Sequence, residues 1–184
     1  VIPYTIGNYL ATQKPFNDTN HKAFSDSVNK IKNNISKLLD TQGEKTVEEI
    51  HKELGKVMWD YVGMSRSKEG LEKALKLIRK IKNDFNTNVK IPGSNEEFNP
   101  ELEKAGRLAD FIELGELMAI DALNREESCG GHFREEHQTE ENEAKRNDDD
   151  YAYVAAWEKI NNEYKLHKEN LNFENVELTT RSYK

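Results

Sequence analysis

Between residues 20 and 40 the apolar positions fall at Phe24, Val28, Ile31, Ile35 and Leu38, in alternating steps of four and three, with Lys, Asn and Ser between them. That spacing predicts a helix with a narrow, coiled-coil-like seam, stopped by a loop over residues 41–45 that contains Gly43. A second helix begins at Thr46, where Thr46 and Glu49 stand at the spacing of a capping box. Its face is Val47, Ile50, Leu54, Val57 and Tyr61, flanked by Met58 and Trp59, and Gly63 closes it. The helical spacing of Met58 and Trp59 marks them as core. A third helix runs from near Ser67 to about Phe85, with Leu71, Ala74, Leu75, Ile78, Ile81 and Phe85 inward. Residues 86–99, with Pro92 and Gly93, read as a loop.

The fourth helix is the longest. Asn99 suits the N-cap and Pro100 the first helical position, where a missing N–H costs nothing. Leu102, Ala105, Leu108, Ala109, Ile112, Met118, Ala119 and Ala122 keep the period to about Asn124, with Gly106 and Gly115 on or near that face to allow close helix approach. At about 1.5 Å per residue the helix is roughly 40 Å long. Short connections favour antiparallel neighbours. Ahead of all this, residues 1–17 are unusually apolar (Val1, Ile2, Tyr4, Ile6, Tyr9, Leu10, Phe16) and read as the continuation of an element that packs on something upstream. After Glu127 the period disappears. A Gly-rich stretch, residues 128–134, leads into an acidic loop to Asp150, then a strand over residues 151–157. Leu171, Phe173, Val176 and Leu178, at mostly alternate positions, are the expected antiparallel partner. The expected fold is mainly α: an antiparallel three- to four-helix bundle over residues 18–128, a linking remnant over 1–17, and a C-terminal loop with a small antiparallel β appendage over 129–184.

Composition agrees with helices that bury a narrow stripe: 35% hydrophobic, 33% charged, mean hydropathy −0.91. A net charge of −7 offers no field for phosphate backbones, so nucleic acid is not an expected partner. The one cysteine, Cys129, excludes an internal disulfide and points to a reducing compartment. No apolar run approaches the roughly 20 residues of a membrane helix. The start, Val1-Ile2-Pro3-Tyr4, has neither a basic n-region nor an initiator methionine, and reads as a cut inside a longer protein.

Candidate chemistry is sparse. Cys129, His132 and His137 form an incomplete metal array, better read as a turn whose His donates to a backbone carbonyl. The glutamates at 126, 127, 135 and 136 disfavour a Cys129 thiolate, leaving a partly buried, inert thiol. Gly130-Gly131 lacks the strand–loop–helix context and lysine of a phosphate loop, and residues 140–150 lack the ligand spacing of a calcium loop. Arg66, Arg107, Arg125 and Arg134 are possible anion ligands, though helix-surface arginines usually pair with a neighbouring acid. Arg125 and Arg134 stand out because they bracket the Gly-Gly turn.

Three segments carry a family resemblance: Met58-Trp59-Asp60-Tyr61-Val62-Gly63-Met64-Ser65-Arg66 with Gly70-Leu71; Glu113-Leu114-Gly115-Glu116-Leu117-Met118 running through Asp121-Ala122-Leu123-Asn124-Arg125 to Gly130-Gly131-His132-Phe133-Arg134-Glu135; and Trp157, Leu166-His167-Lys168-Glu169 with Arg181-Ser182-Tyr183-Lys184. In this order they resemble the C-terminal region of the flavoprotein subunit of succinate dehydrogenase and fumarate reductase, of the type with a di-haem cytochrome b anchor. The chain departs from the pattern at Cys129, where many members have Arg, and at Gly131, commonly Ala. The resemblance implies a parent subunit that interconverts succinate and fumarate on FAD. Electrons would pass to an iron–sulfur subunit and on to quinone at the cytoplasmic face of the inner membrane. It also implies that the catalytic and flavin-linking residues lie before Val1. No catalytic, cofactor or metal residue is carried onto this chain, and no FAD is expected on it alone. Arg125, His132, Phe133 and Arg134 are expected to dock on the flavin domain or the iron–sulfur subunit, so that charge reversal at Arg134 impairs flavin retention. The competing readings are an independent helical interaction module and a small metal enzyme built on Cys129, His132 and His137.

Overall fold

A computed structural model of the chain describes residues 2–14, 19–161 and 163–179; Val1, Phe16 and the expected motif at residues 181–184 lie outside them. Six helices are present among the described residues: α1 (Ile2–Thr12), α2 (Lys22–Asp40), α3 (Val47–Val62), α4 (Lys68–Asn88), α5 (Pro100–Asn124) and α6 (Asp148–Tyr151). The strands are β1 (Lys45–Thr46), β2 (Val89–Lys90), β3 (Tyr153–Ile160) and β4 (Glu163–Asn170).

The core is built by α3, α4 and α5, and the chain's local chemistry explains why each starts where it does. Thr46 caps α3 in a reciprocal pair: its Oγ1 accepts from Glu49 N–H at 3.2 Å, and its own N–H donates to Glu49 Oε2 at 2.7 Å. Two free helix-start donors are thereby satisfied. Thr46→Ala should cost about 1 kcal/mol in urea or thermal unfolding. Ser67 Oγ accepts from Gly70 N–H at the start of α4, and Asn99 Oδ1 from Leu102 N–H at the start of α5. The predicted inward faces are buried together: Ile50 and Leu54 of α3, Leu71, Ile78 and Ile81 of α4, Leu108, Ile112 and Ala119 of α5. Lys45, just before α3, reaches Asp84 near the end of α4 at 3.0 Å, so α3 and α4 are antiparallel. Lys82 and Arg79 of α4 hold Glu116 of α5 at 2.9 and 3.0 Å, against Phe85 beside Ala109 further along, so α4 and α5 are antiparallel too. α3 and α5 therefore run in the same direction, with Gly115 against Met58: a Cβ there would lie 3.1 Å from the Met58 sulfur. Glu116 is 6% exposed. Burial pushes its carboxyl up, but the Lys82 and Arg79 bonds outweigh this and hold it below the ordinary range.

Four expectations are corrected. Residues 86–99 are not all loop: α4 continues to Asn88, and β2 pairs in parallel with β1 (Lys45↔Val89, Thr46↔Lys90). Gly43 packs so close to Asn88 that a Cβ would overlap its backbone. Two-residue strands are too short to show a period. The hairpin partner is also different. β3 pairs with β4, from Tyr153↔Asn170 to Ile160↔Glu163, and residues 171–178 only continue from its base, where Leu171 N–H donates to the Ala152 carbonyl. Asn161, at φ 48°, supplies the turn, and an alternating apolar pattern does not register it. The acidic stretch before Asp150 ends in a short helix, α6. Trp59, expected in the core, is 84% exposed.

The α2 seam closes only at one end. Leu38 and Leu39 pack on the core, while Phe24, Val28 and Ile31 remain exposed, as does every described residue of α1. The chain exposes 13960 Å², against about 9,100 Å² for a compact monomer of this mass. Among the described residues no helix is long and apolar enough to cross a membrane.

Candidate functional site

Because α3 and α5 are parallel, their C-terminal carbonyls finish at the same end of the bundle. Such ends need donors and favour positive charge. Residues 125–137 cross this end and supply both. Cys129 and His132 exchange backbone bonds (Cys129 N–H to His132 O, 2.8 Å; His132 N–H to Cys129 O, 3.0 Å) and close a turn on Gly130 and Gly131. Gly130 sits at φ 58°, where a side chain would be strained. Ser128, fully buried, secures the next step: its Oγ accepts from Arg134 N–H at 2.8 Å and donates to Arg134 O at 3.1 Å. The strand-like segment then lies on the α3–α4 connection, with Arg66 N–H to Phe133 O at 3.2 Å and Glu135 N–H to Arg66 O at 2.8 Å.

Three arginines complete the junction. Arg134, 1% exposed, is the largest fully buried side chain among the described residues. Its Nη1 donates to the carbonyls of Ala122 at 2.9 Å and Leu123 at 3.4 Å, in the last turn of α5, and its Nε to Glu136 Oε2 at 3.1 Å. Glu136 also accepts from Lys68 N–H at the start of α4. Burial raises its carboxyl, but these bonds bring it below the usual range. Arg66 does for α3 what Arg134 does for α5: its Nε donates to Val62 O at 3.2 Å and Gly63 O at 2.9 Å. Arg125 ties in the hairpin, donating to Glu127 Oε1 at 2.6 Å and to the carbonyls of Tyr151 and Tyr153 at 3.2 and 3.3 Å, with its guanidinium over both rings. Further along the hairpin, Trp157 Nε1 donates to Asp121 of α5 at 2.7 Å, and Lys159 pairs with Glu113.

His132 links two of these arginines. Its Nδ1 is 2.9 Å from Arg66 Nη1 and its Nε2 is 2.9 Å from the Arg125 carbonyl. The ring thus donates to a backbone carbonyl, as expected of a turn histidine. Burial lowers its pKa, the Arg125 carbonyl partly restores it, and Arg66, Arg134 and Arg125 lower it further. Among the described residues no three His, Cys, Asp or Glu side chains are grouped to hold a metal.

Of the four predicted docking residues, the structure brings all to one junction but gives them different roles. Arg134 lies beneath the turn, 1% exposed, with its guanidinium on the end of α5. Arg125, His132 and Phe133 are partly exposed, and the rim of the turn is Cys129, Gly130 and Gly131. Cys129 is exposed, not partly buried. Sequence reasoning missed the role of Arg66; the signal was an arginine three residues after the helix stop Gly63. FAD does not fit the junction. Its glycines join two mutually bonded residues instead of a strand and a helix start, and all three arginines are committed to carbonyls and to neighbouring side chains.

Fold and junction define a helical-bundle domain whose helix ends are clasped by a turn and a β-hairpin. The family model described as fumarate reductase flavoprotein C-term matches residues 51–183, and the chain belongs to that family, as the C-terminal region of the flavoprotein. An uncharacterized FAD-dependent oxidoreductase of Methanocaldococcus jannaschii is 34% identical over 119 residues, covering 65% of this chain and 20% of that protein. The fumarate reductase flavoprotein subunit of Proteus vulgaris is 30% identical over 115 residues, covering 62% and 19%. Among solved structures, E. coli quinol fumarate reductase superposes with a TM-score of 0.76 at 20% identity, over 89% of this chain and 27% of that one, a likeness of fold. The chain spans about a fifth of the length of the curated relatives it matches.

Proposed function

We propose that this chain is the helical brace of a flavoprotein subunit that interconverts succinate and fumarate. FAD is held by a domain that precedes the brace in the polypeptide. Electrons pass to an iron–sulfur subunit and, through a membrane cytochrome b anchor, to quinone, with the flavoprotein peripheral on the cytoplasmic face. The observation that carries this reading is the family match over residues 51–183. The large exposed area supports it, since the uncovered surface lies on α1, on the open half of the α2 seam and on Leu171, Phe173 and Val176 beyond the hairpin. On this reading residues 1–17 lead in from the flavin domain, and residues 129–184 fold back on it. The rim at Cys129–Gly131, with Arg125, His132 and Phe133, is then the docking surface, and Arg134 shapes it from below.

The test is to purify the complete gene product beside the 184-residue chain. The complete product is expected to carry flavin and to reduce fumarate with a reduced viologen dye. The 184-residue chain is expected to be colourless and inactive. A complete product without flavin, or a gene encoding only these residues, would overturn the proposal in favour of a free-standing interaction module.

A further inference from the structure

The side chain that caps α3 and the carbonyl that ends α5 meet at one ring, that of His132. Arginine has no hydrogen-bond acceptor, so Arg66 Nη1 can only donate to His132 Nδ1. That fixes the proton on Nε2, which donates to the Arg125 carbonyl. Both bonds coexist in one protonation state alone, the neutral Nε2–H tautomer. We propose that His132 is a proton-sensitive clasp: neutral, it joins the α3 end to the α5 end, and on taking up a proton it keeps its bond to the Arg125 carbonyl and releases the Gly130–Gly131 turn from the Arg66 cap of α3.

The charges facing the ring come from each element around it, and all are positive: Arg66 from the α3–α4 connection, Arg125 from the end of α5, and Arg134 from the turn itself. The carboxylates of the neighbourhood are engaged elsewhere. Asp121 accepts from Trp157, Glu127 from Arg125 and Asn147 N–H, Glu135 from Ser65, and Glu136 from Lys68 N–H and Arg134. An imidazolium would set a donor against the Arg66 donor and a cation among three cations. Cys129, bonded to His132 through the backbone on both sides, follows the ring. The buried core of α3, α4 and α5 has no part in the clasp, so opening is confined to the turn and the Arg66 cap.

The sign follows from linkage. The folded ring binds its proton less readily than an unfolded histidine, whose pKa is about 6.5. The clasp's contribution is therefore complete above that value and is lost as the pH falls through the lower, folded pKa. This inference stands independently of the flavoprotein reading, because every group it uses belongs to the chain.

The experiment is amide hydrogen exchange by NMR on the 184-residue chain from about pH 7.5 to about pH 5, corrected for intrinsic exchange. Protection of the Cys129 and Arg66 amides should fall about tenfold in the wild type, the size of one lost charge-assisted hydrogen bond, while Ile78 and Leu108 amides hold. His132→Gln keeps an acceptor for Arg66 and a donor for the Arg125 carbonyl without titrating, and should keep that protection flat. A fall of the same size in His132→Gln, or none in the wild type, overturns the clasp. Ring-nitrogen shifts of the wild type provide a second reading that needs no variant. An unprotonated Nδ1 at neutral pH supports the clasp, and a protonated one overturns it.

Discussion

Arg134→Glu is expected to lower the stability of the chain by about 3–5 kcal/mol, the cost of breaking a buried, hydrogen-bonded charge. The argument starts from the α5 end, where the carbonyls of Ala122 and Leu123 have no partner in the helix itself and take the Arg134 guanidinium instead. A carboxylate in that place faces carbonyl oxygens and the negative end of the helix dipole with no donor to offer. Glu136, bonded to Arg134 at 3.1 Å, becomes a like charge beside it. The measurement is urea unfolding of wild type, Arg134→Lys and Arg134→Glu. Lys keeps the charge but cannot reach both the carbonyls and Glu136, so it should fall between the other two. A loss below about 1 kcal/mol for Glu would show that the site relaxes and that its burial carries little energy. The same variant in a complete flavoprotein should impair flavin retention through the fold of the junction, and not through a lost surface contact.

Ile78→Ala is expected to cost about 2–5 kcal/mol, from lost transfer energy and the cavity left behind. Ile78 is fully buried on α4, the middle helix of the three, so both neighbours would have to move to fill the gap. Ile31→Ala on α2 removes an equivalent side chain from an equally regular pattern. There the residue is 58% exposed, and the change in the chain should stay within about 0.5 kcal/mol. Thermal unfolding of the two variants side by side measures the contrast directly. Equal losses would mean that the α2 seam is closed in solution.

That contrast also shows how far the pattern could be read. Thr46, Ser67 and Asn99 were legible as helix starts because capping is local: the side chain and the N–H it satisfies lie within three residues. The α3, α4 and α5 faces were legible because burial repeats with the helical period. Trp59 broke that rule, since a side chain flanking the stripe can turn to either side and only the neighbouring helices decide which. The β1–β2 contact joins residues more than forty apart through two-residue strands, and no periodicity can announce it. The junction was half legible. Two arginines around a Gly-Gly turn marked the place, while the partners of Arg134 lie on α5 eleven and twelve residues away.

By itself, the sequence determined where the core helices begin, which face each one buries and which family the chain joins, because caps, periods and motifs are short-range patterns. Tertiary structure alone decided three things: that α3 and α5 end side by side, that Arg134 turns inward to meet the end of α5, and that the α2 seam stays open. The physical reason is the same in each case. A hydrophobic period specifies that a face will be covered, and a charge that it will find a partner, but which partner depends on the elements the fold brings within reach.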